Sequence, residues 1–320
     1  MNAACAPARA HAVVVSYRPD LGLLRALLEA LAPQVAAIEL VDNTPVADAR
    51  VADLAQELAL PSLRLHRLGD NYGIACALNV GVQAAWNAGA SHVLLSDQDS
   101  LPPPDMVAGL LRAEAELIAS GVRVGAIGPR FTDAHTGITF PFQAWVPGKF
   151  FYGHVHPSAR QPVVEALTLI TSGTLIPAAA WAAAGPMRED YFIDYVDIEW
   201  SHRARAAGLH LFGTLYATMA HRMGDDQLRV WYFGWRRESA YSPLRVYYRI
   251  RNFVALCRVP SLPTRWKWRN GWYTFGVAYT QVIFGYQRGA ALRMALRGLW
   301  DGFRGRMGRY PDNQLTRGKP

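Results

Sequence analysis

A doubly wound, mostly parallel α/β sheet is the fold that this 320-residue sequence predicts. Short aliphatic or β-branched runs alternate with stretches whose apolar residues recur at helical spacing, the signature of βαβ units. Two of the short runs stop abruptly at acids, and ligands of open α/β sheets gather outside the carboxyl ends of their strands. Hydrophobic residues make up 51% of the chain, enough for a large core and incompatible with intrinsic disorder.

The elements follow in order. His11–Ser16 reads as the first strand, and Leu21–Leu31 as a helix with Asp20 as its N-cap. Ile38–Val41 is a second strand ending at Asp42-Asn43, Val51–Ala59 a helix, and Leu63–Leu68 a third strand. Ala75–Ala88 is a helix closed by Gly89, and His92–Ser96 the next strand. Met106–Ser120 adds a helix and Val124–Gly128 a strand; Phe131–Pro162 is aromatic, Gly/Pro-punctuated and irregular, as a substrate-covering region would be. Strand character returns over Val163–Ile176, and Ile198–Ala207 is a helix stopped by Gly208. An arginine- and aromatic-rich block then begins, so we expect one domain over residues 1–227 and a basic helical extension over 228–320.

Charge divides along the same line. Residues 1–227 carry a balance of −7 and residues 228–320 a balance of +15. A basic block of this kind usually meets nucleic acid or an anionic membrane. Cys5, Cys76 and Cys257 have neither zinc spacing nor a disulfide framework, which suits a reducing cytoplasm. The N-terminus lacks the apolar core of a signal peptide, and no stretch of 18 uncharged apolar residues predicts a membrane span.

Three short strings carry chemistry. Leu94-Leu95-Ser96-Asp97-Gln98-Asp99-Ser100 ends a buried strand at two carboxylates one residue apart. Such a pair can share one Mg²⁺ or Mn²⁺ whose open positions take phosphate oxygens, although a solvated turn could present the same acids. Tyr191 to Trp200 is a second acidic cluster at a helix start, with Glu199 and Arg203 one turn apart. Asp197 there could cap the helix or act as a general base. His221, after a short apolar segment, is either structural or a third metal ligand.

Together these strings resemble the family 2 inverting glycosyltransferases of the GT-A fold, and most closely bacterial rhamnosyltransferases of O-antigen and related polysaccharide synthesis. The resemblance runs from about Val13 to Asn252. It includes Val13-Val14-Val15-Ser16-Tyr17, Leu40-Val41-Asp42-Asn43, Asn71-Tyr72-Gly73-Ile74-Ala75, Leu78-Asn79-Val80-Gly81, the Asp-Gln-Asp-Ser string, Thr171-Ser172-Gly173, Phe192 to Trp200 with Arg203-Ala204, and His221 with Gly224. Gln98 departs from the third acid that many relatives carry at that position.

The resemblance implies a role for each matching residue. Tyr17 and Asp42 would line a nucleobase pocket, with Asn71 and Asn79 near the nucleotide or at the pocket floor. Asp97 and Asp99 would stand by the ribose and diphosphate, Asp99 ligating the metal most directly and His221 completing its shell. Asp197 would be the catalytic base. The implied reaction moves a sugar, L-rhamnose from dTDP-β-L-rhamnose by branch resemblance, to a hydroxyl of a lipid-linked or polysaccharide acceptor. UDP-galactofuranose, UDP-glucose and GDP-mannose are alternative donors. A metal-dependent nucleotidyltransferase is the competing class, but Ser16-Tyr17-Arg18-Pro19-Asp20 is not a glycine-rich phosphate loop.

The basic block interleaves Arg245, Arg249, Arg265 and Arg269 with Tyr247, Trp266, Trp268 and Trp272. Such a pattern suits either single-stranded nucleic acid or an anionic membrane surface. A lipid-linked acceptor favours the membrane: we expect a cytoplasmic enzyme held peripherally on the inner face of the bacterial cytoplasmic membrane, with no nucleic-acid partner.

Overall fold

The computed structural model describes residues 8–45, 48–133, 139–221, 227–231 and 235–311. The described elements are β1 (Ala10–Ser16), α1 (Leu21–Leu31), β2 (Ala37–Pro45), α2 (Arg50–Leu58), β3 (Leu63–Gly69), α3 (Ile74–Asn87), β4 (His92–Asp97), α4 (Met106–Ala119), β5 (Val124–Asp133), β6 (Phe142–Ala144), β7 (Gly153–Val155), β8 (Val163–Ala166), β9 (Thr174–Pro177), α5 (Ala178–Ala184), α6 (Val196–Ala206), β10 (His210–His221), β11 (Gln227–Trp231), β12 (Trp235–Ser239), α7 (Pro243–Cys257), α8 (Thr264–Phe284) and α9 (Arg288–Arg304). Eight strands form one sheet in the order β3-β2-β1-β4-β9-β5-β10-β8. β1 pairs in parallel with β2 and β4, β2 with β3, and β5 with β10; β9 and β8 pair antiparallel to their neighbours.

Side chains alternate across a strand, so β1 can serve two cores at once. Val13 and Val15 pack with Ala75, Leu78 and Val82 of α3 on one face. Ala12 and Val14 pack with Leu24, Leu27 and Leu28 of α1 and with Met106 and Leu110 of α4 on the other. Asp20 caps α1, its carboxylate accepting from Gly22 N (2.8 Å) and Leu23 N (3.1 Å). The first core continues into Trp181 and Trp200, then into Phe253, Leu256 and Trp266, so α7 and α8 share it with the sheet.

The strand expected over Val163–Ile176 is two strands far apart in the sheet. β8 lies at the edge beside β10, whereas β9 is inserted between β4 and β5. The chain turns at Gly173 (φ +76°), whose N–H donates to Leu95 O (2.7 Å). Hydrophobic continuity cannot reveal such a break, because both pieces are apolar on the sheet's account. Among the described residues, no helix is long and apolar enough to cross a membrane.

Gly81 is where α3 crosses the sheet, and a Cβ there would collide with methyls of Val13 and Val41. Gly81→Val is expected to lower stability by about 1–3 kcal/mol through overpacking, read as a drop in the thermal unfolding midpoint.

Candidate active site

Parallel pairing brings three strand ends to one edge. Val15 is in register with Asp97 and Ser16 with Asp42, so Tyr17, Asn43 and the 97–99 string emerge together. Gln98 ties two of these ends: its Oε1 accepts from Tyr17 N (2.7 Å) and its Nε2 donates to Tyr17 O (3.4 Å). A carboxylate at this position could accept but not donate back, which accounts for an amide here. The 97–100 turn is fixed from the far side by Ser172, whose hydroxyl accepts from Asp97 N (3.1 Å) and lies 2.6 Å from the Ser100 hydroxyl.

Asn43 and Asn71 shape the next wall. Asn43 Nδ2 donates to Asn71 Oδ1 (3.2 Å), and Asn43 Oδ1 accepts from Tyr72 N (2.9 Å). Asn71 Oδ1 also accepts from Gly73 N (3.0 Å). Gly73 has φ +87° and no room for a Cβ beside Phe192, so both its conformation and its neighbour demand glycine.

The opposite wall is a backbone under strain. Phe192, Asp194 and Tyr195 hold φ of +65°, +61° and +68°, a region that costs a non-glycine residue of order 1–3 kcal/mol. Two buried side chains of α7 hold it there. Asn252 Nδ2 donates to the carbonyls of Tyr191 (3.0 Å), Ile193 (2.7 Å) and Asp194 (2.8 Å). Arg251 donates to Tyr191 O (2.9 Å) and, through Nε, to Asn252 Oδ1 (2.9 Å). α7 starts where Ser242 accepts from Arg245 N (3.3 Å) ahead of Pro243, a favoured helix opening.

The contorted loop delivers two acids to different partners. Asp194 is gripped by Arg245 (2.7 and 2.8 Å) and approached by Arg249 (3.4 Å). Asp197, in the first turn of α6, accepts only from Ile198 N among side-chain bonds described (2.8 Å). Burial, aided by the like charges of Asp97 and Asp194, pushes Asp197 up to about 6. Burial and the neighbouring Asp99 push Asp97 to about 7, with Arg245 opposing. Glu199 faces elsewhere: it pairs with Arg203 (2.8 Å), which also donates to Pro186 O (2.8 Å).

These groups line one cleft of about 690 Å³. Tyr17, Asn71, Asp97, Asp99 and Asp197 all line it. Two predicted residues do not. Asp42 is fully buried: one carboxylate oxygen accepts from Thr44 N (3.1 Å), and the other has no hydrogen-bond partner among the described residues. Asn79 belongs to neither the floor nor the rim, because its amide is consumed bridging α3 to Met187 (2.9 Å) and Glu189 (2.9 Å). His221 ends β10, and its side chain lies outside the described residues.

No group of three acid, histidine or cysteine side chains suited to a metal occurs among the described residues. The Asp97–Asp99 pair nevertheless has the right chemistry for a hard divalent cation: two carboxylates lining the cleft, one of them destabilised as a bare anion by burial and then by its neighbour. Sequence reasoning missed Arg245, Arg249, Tyr241 and Tyr273, which form the cleft's C-terminal wall. The available signal was the four-residue spacing of Arg245 and Arg249, which sets both on one helical face.

No family model matches the sequence. The chain is 27% identical over 299 residues to the dTDP-rhamnosyl transferase RfbF of Shigella flexneri, covering 92% of this chain and 95% of that protein. Among solved structures it resembles residues 1–349 of S. aureus TarS in complex with UDP-GlcNAc, with a TM-score of 0.55, 14% identity, and 92% and 81% coverage of the two chains. It also resembles GalNAc-T7 with UDP, GalNAc and Mn²⁺, with a TM-score of 0.54 and 14% identity, covering 87% of this chain but spanning only 58% of that one. With its mostly parallel sheet and the cleft at the strand ends, the chain has the GT-A fold of glycosyltransferases, and it is similar over nearly its whole length to a dTDP-rhamnosyl transferase.

Proposed function

We propose that the protein is an inverting rhamnosyltransferase, moving L-rhamnose from dTDP-β-L-rhamnose to a hydroxyl of a lipid-linked or polysaccharide acceptor. The observation that carries the reading is the convergence of Asp97, Asp99 and Asp197 in one cleft, Asp197 having no ion-pair partner among the described residues. The similarity to a dTDP-rhamnosyl transferase supports the donor. Tyr17 and Asn71 would border the nucleotide.

Asp97 and Asp99, with His221, would hold Mg²⁺ or Mn²⁺. That ion would supply positive charge against the leaving diphosphate. Arg245 and Arg249 add fixed cations to the same cleft, where low local dielectric strengthens their pull on phosphate oxygens. Asp197 accepts the proton of the acceptor hydroxyl as its oxygen attacks the anomeric carbon. The bond from that carbon to the diphosphate breaks with its electron pair going to dTDP, and the single displacement yields an α-L-rhamnoside. A lipid-linked acceptor places the enzyme at the inner face of the cytoplasmic membrane.

Asp197→Asn is nearly isosteric but cannot take the proton, so turnover should fall by about 10²–10⁴-fold with donor affinity unchanged. An ionised base is required, so wild-type turnover should rise with pH through about 6 and level off above it. A pH profile of turnover, with donor binding followed by calorimetry, checks both; wild-type turnover in Asp197→Asn would remove the assignment. Asp99→Ala should lose the Mn²⁺-stimulated part of dTDP binding, with His221→Ala milder. Calorimetry of dTDP with and without Mn²⁺ reads this directly, and full stimulation in Asp99→Ala would refute the metal site.

A further inference from the structure

Two C-terminal helices each leave a stripe of large apolar side chains uncovered. On α8 it comprises Trp268, Trp272, Phe275, Tyr279 and Ile283, spaced by three or four residues, with Trp272 79% and Trp268 66% exposed. The opposite face of the helix, through Trp266, Asn270, Thr274 and Ala278, is buried. On α9 the outer stripe is Leu292, Leu296, Trp300 and Phe303, while Gly298 and Gly302 press the inner face against Tyr247 and Val254 of α7. Soluble surfaces scatter such residues singly; contiguous runs mark an interaction site.

The charge around the stripes has one sign. Arg265, Arg288, Arg293 and Arg304 are exposed. Between residues 240 and 311 the only carboxylate is Asp301, which is buried and engaged by Arg297 (2.7 Å), Arg306 (3.7 Å) and Tyr247 (3.1 Å). Hence these helices show solvent no carboxylate among the described residues. Tyr273, next to Trp272, is half exposed and lines the cleft, so the outer face of α8 adjoins the cleft.

We propose that the outer faces of α8 and α9 are a membrane-docking surface for an anionic bilayer, an inference that rests on the lipid-linked acceptor of the proposed function. The tryptophans and aliphatic side chains enter the headgroup boundary, and the arginines meet lipid phosphates. Single-stranded nucleic acid is a poorer match, because it calls for a cationic groove with stacking platforms. Here the apolar residues stand on outward helix faces, with Ile283, Leu292 and Leu296 among the aromatics. Docking on this side holds the cleft near the membrane, where a lipid-linked hydroxyl is presented.

Truncating the helices cannot test this, because Trp266 is fully buried in the core shared with the sheet. Surface substitutions in the full chain can. The variants are Trp268→Ser/Trp272→Ser and, separately, Arg288→Glu/Arg293→Glu. Cosedimentation uses phosphatidylcholine vesicles with and without phosphatidylglycerol, at 0.1 M and 1 M salt, where the Debye length falls from about 10 Å to about 3 Å. The wild type should bind the anionic vesicles, less so at high salt, and each double variant should bind them about tenfold more weakly. Melting temperature, dTDP binding and transfer to a soluble acceptor should be unchanged in both. Failure of the wild type to bind, equal binding to neutral vesicles, or undiminished binding by both variants would overturn the surface. So would a single-stranded oligonucleotide, or a second copy of the chain, whose binding alone is lost in the same variants. Vesicle binding that behaves as expected in a protein without rhamnosyl transfer would leave the surface standing and discard the proposed function instead.

Discussion

The three left-handed residues of the 192–195 loop depend on one side chain more than any other. Asn252 donates to three carbonyls of that loop's backbone, those of Tyr191, Ile193 and Asp194, and Arg251 holds Asn252 in turn. Without these bonds the loop would relax out of a costly conformation, and everything it aims would move. Phe192 O would leave Ile74 N (2.8 Å), Asp194 would leave its arginines, and α6 would start at a different place. The geometry of the cleft is therefore written jointly by the sheet, which sets Asp97 and Asp99, and by a helix from the far end of the chain.

Electrostatics then divides the acids of the cleft. Asp194 is already satisfied by Arg245 and Arg249, so it orients the arginines as much as they orient it. Asp97 and Asp99 repel one another and leave Asp97 short of a counter-charge. Asp197 has no ion-pair partner among the described residues, and burial together with the like charges of Asp97 and Asp194 holds its proton affinity high. Chemically similar side chains thus meet different surroundings, which is how one fold supports distinct acid, base and binding tasks.

The sheet half was legible because its signals are local. The unbroken buried run of β1, the Asp20 cap and the acids at the ends of the second and fourth apolar runs all lie within a few residues of their cause. The 191–200 string was legible as acids, but not as a left-handed loop, because nothing in Phe192 or Asp194 announces a partner 60 residues away. Arg245 and Arg249 were hidden by their company: in a stretch with a +15 balance, two arginines that face a cleft look like the ones that face solvent. Asn79 erred in the opposite direction, since its motif resembled a nucleotide contact while its hydrogen bonds are spent on Met187 and Glu189.

The clamp also sets when the enzyme can first work. Domains fold as the ribosome extrudes them, at about 5–20 residues per second. At that pace Asp197 is synthesised roughly 3–11 s before Asn252, and Asp97 and Asp99 roughly 8–30 s before it. A nascent chain in that interval owns every acid of the cleft but not the bonds that aim them. The cleft thus takes its final shape only when the C-terminal helices have been made and Asn252 and Arg251 can reach the 191–194 backbone.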